Sequence, residues 1–576
     1  MTLSGIVVSP GIAFGEALHL HLHPERHDYH LLPRDKIEQE KASLINIINN
    51  KKNQLIQHLN RLSSQSQNYK LIEADLLLLD DNELVQSICD EIDRFQLCAA
   101  VAVERIFAYQ AAEMNALNDH YLANRSQDIL SLARRLIDRI NGAHGIELNK
   151  VNRPTILLAR DISPAEFSML PLRYITALVL KTGGITSHTA ILARNAGIPA
   201  LFDCAFEQAN IANEQALALD ALTGKLYPSP RTATINRLKQ LKKDNQKQKQ
   251  HFLTFKHKKA QTKDGYQVPL FINMSSINET PHINEMSVEG IGLFRTEFML
   301  LNSKSAPNED KQYRIYSDIV HLLNGKTLTI RTLDIGAEKS LPFLNNVPEE
   351  NPALGLRGIR YTLTHSNLLY PQIRAVLRAA QYGPVRLMFP MINQIEELNK
   401  LFNIIKKCKQ QLKQTNTQFG PLSIGIVVET PAAVMNLASM LPKINFISIG
   451  TNDLTQYAMA ADRSNPQLTK DYPSLSPAIL HFIRLILSTA HAQHIPVSLC
   501  GELASDPHIA PLLIGMGIDE LSVNLPAILE VKSTVSKISY SACQALAHKA
   551  LSMNTIKALH HCVYHQDPLY EDKTRL

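Results

Sequence analysis

A histidine follows a glycine pair at the predicted start of a helix, and this corner could carry phosphate chemistry. The run before His188, residues 175–180, is apolar and β-prone, whereas residues 191–196 are typical of a helix. A helix N-terminus stabilises an anion through unpaired N–H groups and partial positive charge, and Thr186 and Ser187 could cap the helix or bind phosphate. The pattern therefore predicts that His188 can be phosphorylated. The alternative is a capped turn with a structural histidine.

Polar and ionisable residues follow several strand-like runs in the second half of the chain. Side chains at the carboxyl ends of parallel strands meet at one mouth of a (β/α)8 barrel, where such barrels hold their active sites. Two further arginines, Arg357 and Arg463, lie in predicted loops that could reach the same mouth. The residues at the predicted strand ends are Arg295, Arg331, Glu429, Asn452, Asp453 and Cys500.

These residue types indicate a small ligand that carries both phosphate and carboxylate groups. Clustered guanidinium groups repel one another, and they bind phosphate or carboxylate through paired hydrogen bonds. Glu429 and Asp453 could share a Mg²⁺, because this ion uses one or two carboxylates together with substrate oxygens. The Cys500 thiol could donate a proton at neutral pH, since the ordinary pKa of cysteine is about 8.5. The alternatives are salt bridges at the barrel rim and a cysteine that only packs.

The elements that must position the histidine are predicted from helix breakers and periodicity. No glycine or proline occurs between Pro33 and Gly142, and apolar residues recur there at helical spacing, which predicts several packed helices. Residues 2–20 hold two short β-like runs, and residues 154–227 alternate strand and helix signals, so we expect one α/β domain built from both flanks, into which the helices are inserted. The basic, polar residues 229–262 are typical of a solvated helix that joins domains.

Strand-like runs return from Gly265 onward at intervals that suit alternating helices. About eight such runs occur, the number that closes a parallel barrel, so we expect an α/β multidomain chain that ends in a (β/α)8 barrel of the TIM type. The runs cover residues 268–272, 290–294, 327–330, 385–389, 424–428, 446–449, 497–500 and 520–523. The expected bounds are 1–22 and 146–228 for an α/β phosphohistidine domain, 23–145 for an all-α subdomain, 229–262 for a linker helix and 263–576 for the barrel.

Composition argues against several classes of protein. The chain has 576 residues, of which 45% are hydrophobic, enough for about three or four domains with buried cores. The net charge of +6 is small for this length, and no basic stripe with interleaved aromatic residues indicates nucleic-acid binding. The seven cysteines show no paired spacing, and neither a signal peptide nor a membrane-length apolar run is present. We therefore expect a soluble cytoplasmic protein with reduced thiols.

Five segments resemble enzyme I of the phosphoenolpyruvate-dependent sugar phosphotransferase system. They are residues 183–188, 293–298, 428–433, 450–457 and 500–504. The resemblance covers essentially the whole chain, and five long matches in the same order are far more specific than one short motif. It implies an enzyme that transfers the phosphoryl group of phosphoenolpyruvate to its own histidine and then to a histidine phosphocarrier protein (HPr), with release of pyruvate.

The resemblance also implies a role for each candidate residue. The inserted helices would dock the carrier, and the barrel domain would form a homodimer. Because the histidine and the substrate site would lie in different domains, a large swing about residues 229–262 is expected. His188 would be phosphorylated, Cys500 would protonate the methylene carbon of enolpyruvate, Glu429 and Asp453 would bind Mg²⁺, and Arg295, Arg331 and Arg463, with Asn452 and Asp453 beside them, would hold phosphoenolpyruvate.

The chain departs from the family pattern at four places, none of which removes a catalytic group. Two other classes of protein are alternatives to enzyme I: a nucleotide-dependent dikinase or phosphoenolpyruvate synthase, and a regulatory protein that only senses phosphoenolpyruvate. The sequence has no glycine-rich nucleotide-binding loop, which disfavours the dikinase or synthase. The intact set of candidate residues disfavours the sensor. The departures are Ile185 in place of arginine, Leu356 in place of tryptophan, Ala337-Glu338 in place of Gly-Asp, and Ala74-Asp75 in place of Gly-His.

Overall fold

The computed structural model divides the chain into two compact units, Met1–Lys247 and Gln248–Leu576. No helix within the described residues is long and apolar enough to cross a membrane. None of the seven cysteines forms a disulfide. The structure describes residues 2–20, 31–60, 67–116, 120–141, 151–162, 166–167, 170–183, 188–274, 283–301, 305–336, 349–463 and 465–565.

The first unit is built on one eight-stranded sheet of order β1-β8-β7-β3-β4-β5-β6-β2. Its central strands β3 to β6 run parallel, and β7 pairs antiparallel with β3. All five residues of β4 are buried, as expected for a strand covered on both faces. The strands are β1 Leu3–Ser4, β2 Ile6–Ser9, β3 Ile12–His19, β4 Thr155–Ala159, β5 Ile175–Leu180, β6 Ala200–Phe202, β7 Ala216–Asp220 and β8 Lys225–Pro228.

Within the described residues, five α-helices are inserted between β3 and β4, and we call them the helical subdomain. The insertion leaves the sheet intact because β3 and β4 are paired neighbours, with Glu16 opposite Thr155. Its buried apolar residues form a core of their own, separate from the clusters that cover the sheet. The helices are α1 Ile37–Leu59, α2 Gln67–Leu79, α3 Asn82–Phe95, α4 Ala99–Ala116 and α5 His120–Ile140.

Two further helices of this part of the chain bear on function. Helix α6 spans His188–Asn195, so it begins at the candidate phosphorylated histidine. Helix α7, Thr232–Leu253, is rich in lysine and glutamine, and Leu238 is its one buried residue. Leu238 packs in a small apolar cluster with Ile12 and Ala218, which attaches the start of α7 to the sheet.

The second unit is a closed barrel of eight parallel strands. The predicted fold class, an α/β domain with inserted helices followed by a TIM-type barrel, is therefore confirmed. The first barrel strand begins at Leu270, later than expected, because Pro269 has no amide hydrogen to donate to the ladder. The strands are β9 Leu270–Met274, β10 Gly290–Phe294, β11 Thr327–Arg331, β12 Val385–Phe389, β13 Ser423–Val428, β14 Phe446–Ile449, β15 Val497–Leu499 and β16 Glu520–Asn524.

Helices surround this barrel and bury their apolar faces against the strands in one continuous core. Helix α11, for example, buries its residues at helical spacing, including Leu369, Ile373 and Val376. The helices are α8 Phe298–Leu301, α9 Glu309–Leu323, α10 Ile359–Thr364, α11 Ser366–Ala379, α12 Ile395–Gln414, α13 Pro431–Met440, α14 Thr451–Met459, α15 Pro466–Asp471, α16 Pro477–His491, α17 Ala510–Met516, α18 Ile528–Val535, α19 Tyr540–Leu551 and α20 Ile556–Tyr564.

Candidate active site

The carboxyl ends of the barrel strands, which we call the barrel mouth, hold a buried network of ion pairs. Arg331 is the last residue of β11, and its Nη2 lies 3.0 Å from Oε1 of Glu297 while its Nη1 lies 2.9 Å from Oδ2 of Asp334. The Asp334 backbone N–H donates to the same Glu297 oxygen at 2.8 Å. Burial alone would lower the pKa of the Arg331 guanidinium, but the carboxylates of Asp334, Glu297 and Glu429 raise it above its ordinary value. Arg331 is therefore a fixed positive charge.

Arg357 extends this network from Asp334 to Asp453. Its Nε lies 3.3 Å from Oδ1 of Asp334, and its Nη2 lies 3.0 Å from Oδ1 of Asp453. Its Nη1 donates to the hydroxyl oxygen of Tyr457 at 3.2 Å. The half-exposed Arg463 approaches the same Asp453 oxygen, at 3.7 Å from its Nη2. Three arginines and two aspartates thus form one connected set.

Replacing Asp334 with alanine should destabilise the barrel, because two buried guanidinium groups lose a shared carboxylate. Removing one partner of a buried ion pair typically costs about 3–5 kcal/mol, and the remaining partners Glu297 and Asp453 place the expected loss near the lower end. Chemical denaturation of the full chain, followed by circular dichroism, measures the change. The control is Asp310→Ala, since Asp310 is a mostly exposed partner of Arg378 and its loss should cost less than about 1 kcal/mol. Equal losses in both variants would contradict the structural role of Asp334.

Glu429 is a buried carboxyl group directly after β13. It is 1% exposed, and its Oε1 accepts a hydrogen bond from the Met391 backbone N–H at 2.7 Å. Burial, and then the nearby carboxylates of Asp453 and Asp334, raise the pKa of Glu429 to about 8, while Arg331 acts in the opposite direction. A buried acid crowded by other carboxylates is stabilised in its ionised form by a cation, so the donor set at Glu429 and Asp453 fits a Mg²⁺.

Two glycines allow this crowding. A Cβ added to Gly450 would lie 2.8 Å from Oε2 of Glu429, and one added to Gly501 would lie 1.8 Å from Oγ1 of Thr451. The loops after β14 and β15 can therefore approach the site only because these two residues lack side chains.

Cys500 follows β15 and is buried, with its Sγ 3.6 Å from the Ile449 carbonyl oxygen to which it donates. Burial raises the pKa of this thiol, against the opposing effects of the Ser448 hydroxyl and the Arg331 and Arg295 charges. The thiol is therefore protonated at neutral pH and can act as a proton donor. An acid role needs this protonated state, because a thiolate has no proton to give.

The backbone at Cys500 is held by Asn273, a residue to which the sequence analysis gave no role. Its Nδ2 donates to the carbonyl oxygens of Cys500 and Ser522, each at 3.1 Å, and its Oδ1 accepts from Oγ of Ser522 at 2.6 Å. The available signal was weak: a single asparagine interrupts the apolar run of the first barrel strand. The sequence analysis also gives no role to Glu297, Asp334 or Tyr457. Glu297 and Tyr457 lie within two of the motifs, and Asp334 lies three residues after Arg331.

The remaining predicted ligands of the barrel also lie at its mouth. The Arg295 backbone N–H donates to the Met274 carbonyl at 3.1 Å, and its exposed guanidinium forms no ion pair within the described part of the chain. Oδ1 of Asn452 accepts from the Glu502 backbone N–H at 3.3 Å. The barrel mouth therefore combines two accessible guanidinium groups, those of Arg295 and Arg463, with a buried ionic network, two carboxyl groups suited to Mg²⁺ and a protonated thiol.

His188 belongs to the other compact unit, where it is the first residue of α6. The next residue, Thr189, is buried, and its Oγ1 donates to the Ile162 carbonyl oxygen at 2.7 Å. Ile185, Thr186 and Ser187, as well as Ala337-Glu338, lie outside the described residues. The expectation that Thr186 and Ser187 cap this helix or bind phosphate stays a prediction.

Three models of phosphoenolpyruvate-utilising enzyme families match successive parts of the chain. The N-terminal model matches residues 4–125, the mobile-domain model residues 151–224 and the PEP-binding-domain model residues 249–540.

Curated relatives match along nearly the full length. A phosphoenolpyruvate-protein phosphotransferase of Buchnera aphidicola subsp. Acyrthosiphon pisum is 34% identical, over 96% of this chain and 97% of its own. The protein of the same name from Haemophilus influenzae is also 34% identical, over 96% of this chain and 97% of its own. A solution structure of Enzyme I matches with a TM-score of 0.37 and 25% identity, over 42% of this chain and 99% of that one.

Proposed function

Because this chain belongs to the phosphoenolpyruvate-protein phosphotransferase family, we propose that it transfers the phosphoryl group of phosphoenolpyruvate to its own His188 and then to a histidine phosphocarrier protein, with release of pyruvate. The observation that carries the proposal is the barrel mouth, where fixed guanidinium groups, two crowded carboxyl groups and a protonated thiol lie together. The reaction of a phosphorylated three-carbon acid needs each of these groups. Cations neutralise its phosphate and carboxylate, a pair of carboxyl groups binds the metal ion, and an acid protonates its carbon.

Mg²⁺ suits the chemistry of the site. Among the described residues no group of three or more His, Cys, Asp or Glu side chains forms a metal site, so Glu429 and Asp453 would hold the ion together with substrate oxygens. Mg²⁺ commonly uses one or two carboxylates in this way. When bound, the ion would neutralise negative charge on the phosphate and carboxylate of the substrate.

The arginines of the mouth would hold the substrate anion. Arg331 is fixed by Glu297 and Asp334, yet its buried Nε has no hydrogen-bond partner among the described residues, which leaves one donor for a ligand oxygen. Arg295 and Arg463 are exposed enough to meet an incoming phosphate or carboxylate, and Asn452 lies beside Asp453 in α14. Donors fixed before the substrate arrives need little reorganisation during the reaction.

The transfer step follows from this arrangement. An imidazole nitrogen of His188 forms a bond to phosphorus as the bond from phosphorus to the enol oxygen breaks, and the enolate of pyruvate leaves. Such a loose transition state depends on positioning and electrostatics. Cys500 then gives its proton to the methylene carbon of the enolate, forming the methyl group of pyruvate, and the thiolate recovers a proton from solvent. Protonation of carbon makes the step difficult to reverse.

The partners of the reaction are part of the same proposal. His188 and the barrel mouth belong to separate compact units joined through α7, so we propose a swing about residues 229–262 between the two half-reactions. The helical subdomain would dock the carrier, the barrel would form a homodimer, and the reaction would take place in the cytoplasm.

The affinity for Mg²⁺ should rise with pH, because the ion competes with the proton of Glu429. With a pKa of about 8, Glu429 is mostly protonated at pH 6.5 and mostly ionised at pH 8.5. Proton competition of this kind predicts roughly a tenfold or greater gain in affinity between the two pH values. Calorimetric titration with MgCl₂ measures it. In Glu429→Gln the affinity should be weak and nearly independent of pH, and a wild-type affinity that does not change with pH would contradict the ligand assignment.

The proposed function is tested with phosphoenolpyruvate that carries a labelled phosphate, in a reaction without nucleotide. The chain should take up acid-labile label, and purified histidine phosphocarrier protein should then remove it. Label that appears only with ATP would indicate a dikinase. Binding of phosphoenolpyruvate without any label on the chain would indicate a sensor, and either result would refute the proposal.

A further inference from the structure

A buried ion pair lies within the helical subdomain. Arg135 of α5 and Asp75 of α2 are each less than a tenth exposed, and Nη2 of Arg135 lies 2.9 Å from Oδ2 of Asp75. The Asp75 carboxylate is therefore the acidic partner of Arg135 within the helical subdomain. Such a pair is costly to bury, and an apolar pair of similar size is often as stable, so its presence suggests a role beyond stability.

The same guanidinium also reaches the α/β part of the first unit. Nε of Arg135 lies 3.9 Å from Oε1 of Glu166, whose side chain is 12% exposed and which follows β4 in the chain. Lys51 of α1 belongs to this cluster: burial, and then the charge of Arg135, lower the pKa of Lys51 to about 8, while Glu166 acts in the opposite direction. One arginine therefore joins the helical subdomain to a segment that lies outside it.

Two described residues near Glu166, Ile162 and Phe167, contact the helix that begins at His188. The Ile162 carbonyl oxygen accepts the hydrogen bond from Oγ1 of Thr189, the residue next to His188. Phe167, the neighbour of Glu166, is buried in one apolar cluster with Ala190 and Ala193 of α6. A displacement of Glu166 would therefore act on the start of α6.

The helical subdomain and the sheet have separate hydrophobic cores, so contacts between them must set their relative orientation. Arg135 and Glu166 carry opposite charges at 3.9 Å and are largely buried, so their attraction is weakly screened by solvent and favours one relative placement of the two parts. The contact of Arg135 with Glu166 is one such contact, and it links α5 to residues that adjoin α6.

We propose that Asp75, Arg135 and Glu166 form an ionic bridge that positions His188 relative to the helical subdomain, and that this bridge serves transfer of the phosphoryl group to the carrier. The inference rests on the proposed function, in which the carrier docks on that subdomain. The bridge lies in the first unit and not at the barrel mouth, so the two half-reactions should respond to it differently.

The test measures the two half-reactions separately on the full chain. In Arg135→Met and in Glu166→Gln, labelling of the chain by phosphoenolpyruvate should stay within about twofold of wild type. The kcat for carrier phosphorylation should fall at least about tenfold with little change in the KM for carrier, because a misplacement of about 1 Å can slow a reaction roughly 100-fold. The double variant should be no slower than the slower single variant, since both changes break one bridge.

The matched control is Lys41→Met, which breaks an ion pair with Asp93 inside the helical subdomain and should leave both half-reactions unchanged. Circular dichroism checks folding, and Glu166→Gln decides the question where Arg135→Met does not fold. Equal loss in both half-reactions, no loss in either, or a rise in KM at constant kcat would overturn the positioning role. A wild-type chain that takes no label from phosphoenolpyruvate would refute the proposed function itself.

Discussion

His188→Ala should take up no acid-labile label from phosphoenolpyruvate and should phosphorylate no carrier. The reason is chemical: the phosphoryl group is held on an imidazole nitrogen between the two half-reactions, and alanine offers no nucleophile. The barrel mouth is unchanged in this variant, so it should still bind phosphoenolpyruvate. Labelling followed by acid treatment, together with a binding titration, measures both properties.

The matched control for His188→Ala is His548→Ala, because His548 is an exposed histidine on α19 of the second unit. Its labelling should equal that of wild type. A His188→Ala chain that still took up acid-labile label would show that another residue carries the phosphoryl group. Loss of phosphoenolpyruvate binding in His188→Ala would show instead that the substrate site is not confined to the barrel.

Cys500→Ala should slow pyruvate formation by about 10²–10⁴-fold, the range that general acid catalysis supplies. The buried thiol has a raised pKa and is protonated, so the variant loses the group that gives a proton to the enolate carbon. Binding of phosphoenolpyruvate depends on the arginines and Mg²⁺ and should change by less than about threefold. Rapid-quench measurement of pyruvate, together with a binding titration, separates the two effects.

Cys408→Ala is the control for the thiol. Burial raises the pKa of Cys408 to about 11, so this thiol is also protonated, but it lies on the outer helix α12. Its removal should leave the rate of pyruvate formation unchanged. Unchanged pyruvate formation in Cys500→Ala would remove Cys500 from the mechanism and leave its place in the apolar cluster with Leu293, Met388 and Val427 as its only role.

The architecture could be predicted from the sequence because its signals are local. The absence of glycine and proline across the helical subdomain and the short apolar runs of the barrel each depend on neighbouring residues. The parallel barrel follows from their count and spacing. The observed strand ends differ from the predicted ones by only a residue or two. The first barrel strand, for example, begins at Leu270, because Pro269 has no amide hydrogen that could join the ladder.

The candidate site could be predicted only in part, because its partners come from distant loops. The strand-end rule placed Arg331 and Glu429 at the mouth, but nothing local in the sequence pairs Arg357 with Asp334 and Asp453. The alternative of salt bridges at the barrel rim is partly correct, since Arg331 and Arg357 both form ion pairs with acidic side chains. These acids hold the guanidinium groups in place, and the free Nε of Arg331 still offers a donor, within the described residues, for a ligand.

The ionic bridge of Arg135 could not be predicted from the sequence, for the same physical reason. Asp75 and Arg135 are 60 positions apart on different helices, and Glu166 belongs to another part of the unit. Only the three-dimensional structure shows that the Asp75 carboxylate on α2 lies 2.9 Å from the Arg135 guanidinium on α5.

The most direct test of the central claim is a single-turnover experiment with the wild-type chain, Mg²⁺ and phosphoenolpyruvate labelled on phosphate, quenched at successive times. The account predicts that label on His188, located by peptide mapping, rises in step with pyruvate and then passes to added carrier at the same rate as it leaves the chain. Pyruvate released together with inorganic phosphate, and no label on His188 at any time, would contradict it.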